Sequence, residues 1–197
     1  MTESCSILEW MKRGIAAVER KDLQNAVRLD HTFFHRDCLA AAPELVGKLL
    51  VHKTADGGII VLSISETEAY RGEEDTACHA HRGRTPRTEL LYRRAGTVYV
   101  YLCYGIHWLL NLITGEEEQP QGILIRACVE APGPGRLTKA LGITGALNGA
   151  DIDDCALSVW DDGRRYKIIP DRRVGIGYAS PEDQARLWRY KMGREKE

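Results

Sequence analysis

The run Ile59-Ile60-Val61-Leu62-Ser63-Ile64, continuing as Ser65-Glu66-Thr67-Glu68-Ala69-Tyr70, constrains the architecture more than any other stretch of the 197-residue chain. Its β-branched and aliphatic residues read as a strand that packs in a core. Side chains alternate along a strand, so Ile60, Leu62, Ile64, Glu66, Glu68 and Tyr70 are expected to point one way. A carboxylate on an apolar face is costly unless a neighbour satisfies it or a reaction uses it. The end of this strand is therefore the first place to look for chemistry.

Further strands surround it in sequence. Leu49 to Lys53 precedes it across the turn signal Asp56-Gly57-Gly58, "TVYVYLCYGIHWLLNLIT" supplies two strands that meet near Tyr104-Gly105, and "GILIRACVE" supplies another. Ser6 to Glu9 forms a capping box that opens a helix over about 6–20. A second helix is expected from Asp37 to near Gly47, with Pro43 inside it, and a third in "PGRLTKALGIT". After Asp151 the pattern mixes short strands and turns. Strands in the middle and helices at the ends favour a single α+β domain with an antiparallel sheet over a doubly wound fold. Neither G-x-G-x-x-G nor a P-loop is present, so no nucleotide cofactor is expected.

The net charge of −1 leaves nucleic-acid binding to a local basic surface rather than to the whole chain. The six cysteines include no C-x-x-C pair, which argues against both a zinc site and a disulfide framework. No signal-peptide pattern or membrane-length apolar run is visible, so an intracellular location without a membrane partner is expected.

Three groups of residues carry chemical promise. Glu66 and Glu68 lie roughly 6.6 Å apart along the strand, and burial of either would raise its pKa toward general acid–base work. The ordinary alternative is a pair of carboxylates held by arginines, and Arg126, a cation ending the apolar run Ile123-Leu124-Ile125, is the natural partner for Glu68. Tyr70, His79, Tyr99 and Tyr101 can line a pocket with flat rings, suited to a planar heterocycle, although tyrosine is also an ordinary strand former. Tyr104 at a hairpin tip can act as a wedge into a base stack. Arg82, Arg84, Arg87, Arg93 and Arg94 crowd one polar stretch opposed by Glu89, a pattern that fits phosphate contacts or a solvated surface. His79 and His81 near Glu73, Glu74 and Asp75 raise a metal site, but no further ligand pair at fixed spacing supports one.

Together, "SETEAY", "RGEEDTACHA", "GRTPR", "GTVYVYLCYGIHWLLN", "GILIRA", "GPGRLTKALGI" and "RRVGIGYA" resemble the alkyladenine DNA glycosylases, the mammalian-type 3-methyladenine DNA glycosylases. The similarity runs from about Leu29 to Tyr178, which sets off residues 1–28 as an N-terminal helical extension and 29–197 as the glycosylase domain. The resemblance implies a curved antiparallel sheet with a protruding β-hairpin, surrounded by helices. It also implies a cofactor-free, monomeric enzyme that removes alkylated or deaminated purines from duplex DNA, located with the nucleoid in a bacterium or in the nucleus of a eukaryote. By the same resemblance Glu68 is the general base, and Arg126 helps hold the water. Tyr70, His79 and Tyr101 sandwich the flipped base with Tyr99 close by, Asn111 opposes the exocyclic amine of guanine, and Tyr104 is the wedge. Thr88 departs from the asparagine common after "TPR". A carbohydrate glycosidase would also use paired acids, and an inert damage-binding module would keep Tyr104 and the arginines; the combination of Glu68 with Arg126 favours the enzyme.

Overall fold

The computed structural model of the chain describes residue 23 and residues 25–196. The expected helix over 6–20 lies outside them. In the described residues nine strands form one sheet in which every pairing is antiparallel. They are β1 (Val27–Leu29), β2 (Leu49–Lys53), β3 (Ile59–Arg71), β4 (Val98–Cys103), β5 (His107–Ile113), β6 (Gln121–Cys128), β7 (Leu157–Asp161), β8 (Tyr166–Asp171) and β9 (Arg189–Glu195). The main order is β1-β7-β2-β3-β6-β5-β4, with β9 adding to β3 and β8 to β9. The helices are α1 (His31–Phe34), α2 (Cys38–Leu45), α3 (Pro134–Leu141) and α4 (Pro181–Ala185). This is an α+β single domain, as the strand pattern implies. The short strands expected after Asp151 are present as β7, β8 and β9.

The strand β3 organises the molecule. Its first half pairs with β2, and its second half lies beside β6 and β9. The helices α2 and α3 cover one face of the sheet. There Phe34, Cys38, Leu45, Leu137 and Leu141 pack on Leu62, Ile64, Ala69, Ile123 and Ile125, all but inaccessible to solvent. The helix α2 begins as its sequence dictates, with the Asp37 carboxylate accepting the Leu39 N–H at 2.8 Å, a cap worth about 1 kcal/mol. Arg71, the last residue of β3, binds the other oxygen of Asp37 at 2.9 Å and ties the strand end to that cap.

The alternation expected along β3 is broken. Ile64 faces Cys128 and Thr67 faces Ile125, but between them the register slips, with Glu66 opposite Ala127. One residue on each strand is skipped, so both strands reverse their facing together. Beyond the slip it is Thr67 and Ala69, not Glu66 and Glu68, that continue the core face of Leu62 and Ile64. The Thr67 hydroxyl donates to the Ala42 carbonyl of α2 at 2.8 Å. The two glutamates and Tyr70 turn to the opposite face. They are not charges on a core face; the strand rotates to take them off it.

Candidate active site

The face that β3 turns outward continues across the sheet. Glu68 pairs with Leu124, Leu124 with Asn111, and Asn111 with Tyr99, and residues directly opposite in a ladder share a face. Tyr70, Tyr99, Tyr101, Asn111 and Glu68 are thereby collected on one surface by the registry of four strands. His79 joins them from a short 3₁₀ turn, His79–Arg82.

Glu68 has no solvent exposure, yet each of its oxygens has a donor. Tyr70 donates its hydroxyl proton to Oε2 at 2.9 Å, and the Val174 N–H donates to Oε1 at 2.9 Å. Arg126 Nε lies 3.3 Å from Oε1 of Glu68 and 3.1 Å from Oε1 of Glu66. Burial pushes the Glu68 carboxyl above the ordinary glutamate value, while Arg126, the Val174 amide and Tyr70 act against that rise. Glu66 is the second carboxylate of the network rather than a duplicate of the first. It is bound by Arg126 and by Arg189 of β9 at 2.9 Å.

Rings stand beside this acid. Tyr99 and Tyr101 lie with centroids 5.5 Å apart, and His79 meets Tyr101 edge-on at 4.7 Å. His79 Nδ1 is 3.0 Å from the Tyr99 hydroxyl. Burial, reinforced by the nearby charge of Arg87, lowers the His79 pKa and favours the neutral ring at pH 7. Asn111 is buried and spends its amide on the Tyr99 carbonyl at 3.2 Å. Gly122, opposite Tyr70, leaves the floor without a side chain, and a small cavity of about 40 Å³ opens there among Tyr70, His79, Tyr99, Asn111 and Tyr178. It adjoins an open groove of about 1150 Å³ bordered by Tyr101, Tyr104, Arg87, Arg126, Arg136 and Val174.

Tyr104 occupies the tight turn between β4 and β5, where it is 90 % exposed. Its φ of 51° is followed by 70° at Gly105. A tyrosine held at positive φ is strained, and nothing in its packing explains it. The arginines separate by environment. Arg84 is engaged by Glu89 and Glu118, and Arg94 by Asp151 and Asp153. Arg87 borders the groove, and Arg82 and Arg93 are exposed. The two histidines considered as metal ligands diverge: His81 Nδ1 sits 2.8 Å from the Glu73 carbonyl, away from the His79–Tyr99 contact.

Four contributors have roles that the sequence reading does not assign, Asp75 being weighed there only as a metal ligand. Val174 supplies a backbone N–H, which no residue-type pattern reveals. Arg173 and Asp75 form a buried ion pair behind Tyr70, and Tyr178 spans the groove and the small cavity while its hydroxyl donates to the Ala77 carbonyl at 2.8 Å. Three of the four lie in "RRVGIGYA", a motif noticed for its resemblance without a role for any residue.

A buried acid stands at the end of a ring-lined slot, reached through a groove with an exposed tyrosine and cations on its rim, an arrangement that suits general acid–base work on a planar ring. Sequence comparison agrees. The chain belongs to the methylpurine-DNA glycosylase (MPG) family, whose model matches residues 32–132 and 129–196. A protein of Natranaerobius thermophilus named "Putative 3-methyladenine DNA glycosylase" is 37% identical over 189 residues, covering 83% of this chain and 94% of its own. Proteins of the same name from Psychrobacter cryohalolentis and Methanocella arvoryzae are 41% and 40% identical, covering 75% and 82% of this chain and 84% and 90% of their own.

Proposed function

We propose that the protein is a monofunctional DNA glycosylase of base-excision repair that extrudes alkylated or deaminated purines from duplex DNA and hydrolyses their N-glycosidic bond. The observation that carries this reading is the Glu68 carboxylate, fully buried yet held ionisable by Arg126, Tyr70 and the Val174 amide. A raised pKa makes it a stronger base than a solvated glutamate, while those donors favour its charged form and oppose the effect of burial.

In this scheme Tyr104 enters the duplex as the target nucleotide rotates out, and the purine slides between Tyr70, His79 and Tyr101. Base–aromatic stacking of about 1–3 kcal/mol per base offsets much of the unstacking cost. Glu68 takes a proton from a water positioned with Arg126. The water oxygen bonds to the anomeric carbon, the bond to the purine nitrogen breaks, and its electron pair leaves with the base. A cationic alkylpurine departs neutral, and the DNA keeps an abasic sugar. The neutral His79 ring offers a flat wall to such a cation without repelling it.

The test is a panel of duplex oligonucleotides, each carrying one hypoxanthine, ethenoadenine or 3-methyladenine analogue. Alkali-dependent strand breaks are expected with the wild type and not with Glu68→Gln, which should still bind the lesion duplex. Equal cleavage by both proteins would remove Glu68 from the mechanism. Binding without cleavage across the panel would mark an inert damage-binding module instead.

A further inference from the structure

The Arg173–Asp75 pair sits behind the site and is used by none of the steps above. Both side chains have no solvent exposure, and the guanidinium grips the carboxylate with Nη1 at 2.6 Å and Nη2 at 2.8 Å. Burying two charges this completely is expensive, and the pair is no more stabilising than apolar packing of the same volume. Its placement suggests what it is for.

Each partner reaches a different part of the site. Asp75 accepts the Arg71 N–H at 3.1 Å and the Ala77 N–H at 3.1 Å, which folds the loop that leads to His79 back onto the end of β3. Arg173 donates to the Ala69 carbonyl at 3.0 Å, and its guanidinium lies 4.9 Å from the Tyr70 ring centroid and 5.0 Å from that of Trp188. The next residue along the chain, Val174, carries the N–H that binds Glu68. Three independent segments, the end of β3, the His79 loop and the Val174 turn, meet at this one ion pair.

We propose that Arg173 and Asp75 are positioning residues, whose bidentate pair holds the Val174 amide against Glu68 and fixes the Tyr70 wall and the His79 loop in a single geometry. The inference rests on the glycosylase reading for its consequence in rate but not for its consequence in Glu68. A hydrogen bond to the ionised form of an acid lowers its pKa, so loosening the Val174 turn removes one of the groups that resist the effect of burial. Other groups facing Glu68 are Tyr70 and Glu66 on β3, Arg126 on β6, Arg189 on β9, Tyr101 on β4, and Arg173 and Tyr178 on the 172–180 segment.

Two variants test this. Arg173→Lys keeps the charge against Asp75 but cannot make the fork, and Asp75→Asn combined with Arg173→Gln removes both charges and keeps a hydrogen bond. The direct readout is the titration of the Glu68 carboxyl by carbon-13 NMR, assigned with Glu68→Gln. In either variant that folds, its midpoint should rise by about one pH unit. The single-turnover excision rate at pH 7 should fall about tenfold or more, with its acid limb displaced upward by the same amount, and Arg173→Lys should retain more activity than the double variant. A purely structural pair would lower thermal stability and leave the titration and the acid limb where they are in the wild type; that result overturns the inference. If the wild type excises nothing from the panel, the glycosylase reading fails, while the Glu68 titration still decides the role of the pair.

Discussion

Glu68 is enclosed by protein, with Tyr70, Val174 and Arg126 as its donors, and its pKa nevertheless lies above the ordinary glutamate value of 4.5 because burial outweighs them. A group whose folded pKa is raised contributes stability below its unfolded pKa and loses it as pH rises through the folded value. Glu68 is therefore a group whose ionisation the fold disfavours rather than one that holds it together. Glu68→Gln should abolish excision yet melt no lower than wild type at pH 7, with its advantage growing as pH is raised from 4 toward 7. Paired thermal melts across that range check the sign; an advantage that shrinks with rising pH would mean that ionisation of Glu68 is favoured in the fold. The sequence marks Glu68 through its resemblance to a family motif, and marks Arg126 as a cation on an apolar strand. It gives no sign of Val174, because a backbone amide has no residue-type signature.

Elements explain why the alternation along β3 misleads. Read as a regular strand, the segment places two acids on the core face, and the matched slip with β6 is what removes them from it. A slip shared by two strands distant in sequence leaves no local mark, since neither glycine nor proline is needed there. The last strand, "RYKMGRE", escapes for a different reason: its composition is mostly polar, with only Tyr190 and Met192 alternating on one face, and β3 and β8 flank it. By contrast, "VYVYLC" and "HWLLNLI" carry clear β signals and form β4 and β5. The turn between them carries the strained Tyr104, whose ring is almost wholly exposed and supports nothing in the fold. Tyr104→Ala should change stability by less than about 0.5 kcal/mol while weakening base extrusion, read as a reduced signal from a fluorescent base analogue in the lesion duplex. An unchanged flipping signal would show that the tip does not enter the helix.

For the whole molecule, the balanced net charge of −1 places the burden of DNA affinity on a few cations beside the groove. Sequence proximity groups five arginines, but the folded chain divides them. Arg84 and Arg94 are held by acidic side chains that come from far along the chain, Glu118 for one and Asp151 and Asp153 for the other. Such partners are invisible in a linear reading, where Glu89 is the sole opposing charge. Arg87 borders the groove and, like Arg82 and Arg93, forms no ion pair among the described residues. An arginine free to neutralise a phosphate releases counterions on binding, and its loss reduces the slope of log affinity against log salt by about 1. Arg87→Ala should therefore flatten that slope by about one unit. Arg84→Ala should leave the slope unchanged, because its charge is already met within the protein. Binding titrations of a short duplex at several salt concentrations separate the two, and an equal loss of slope in both variants would return the whole cluster to the DNA contact surface.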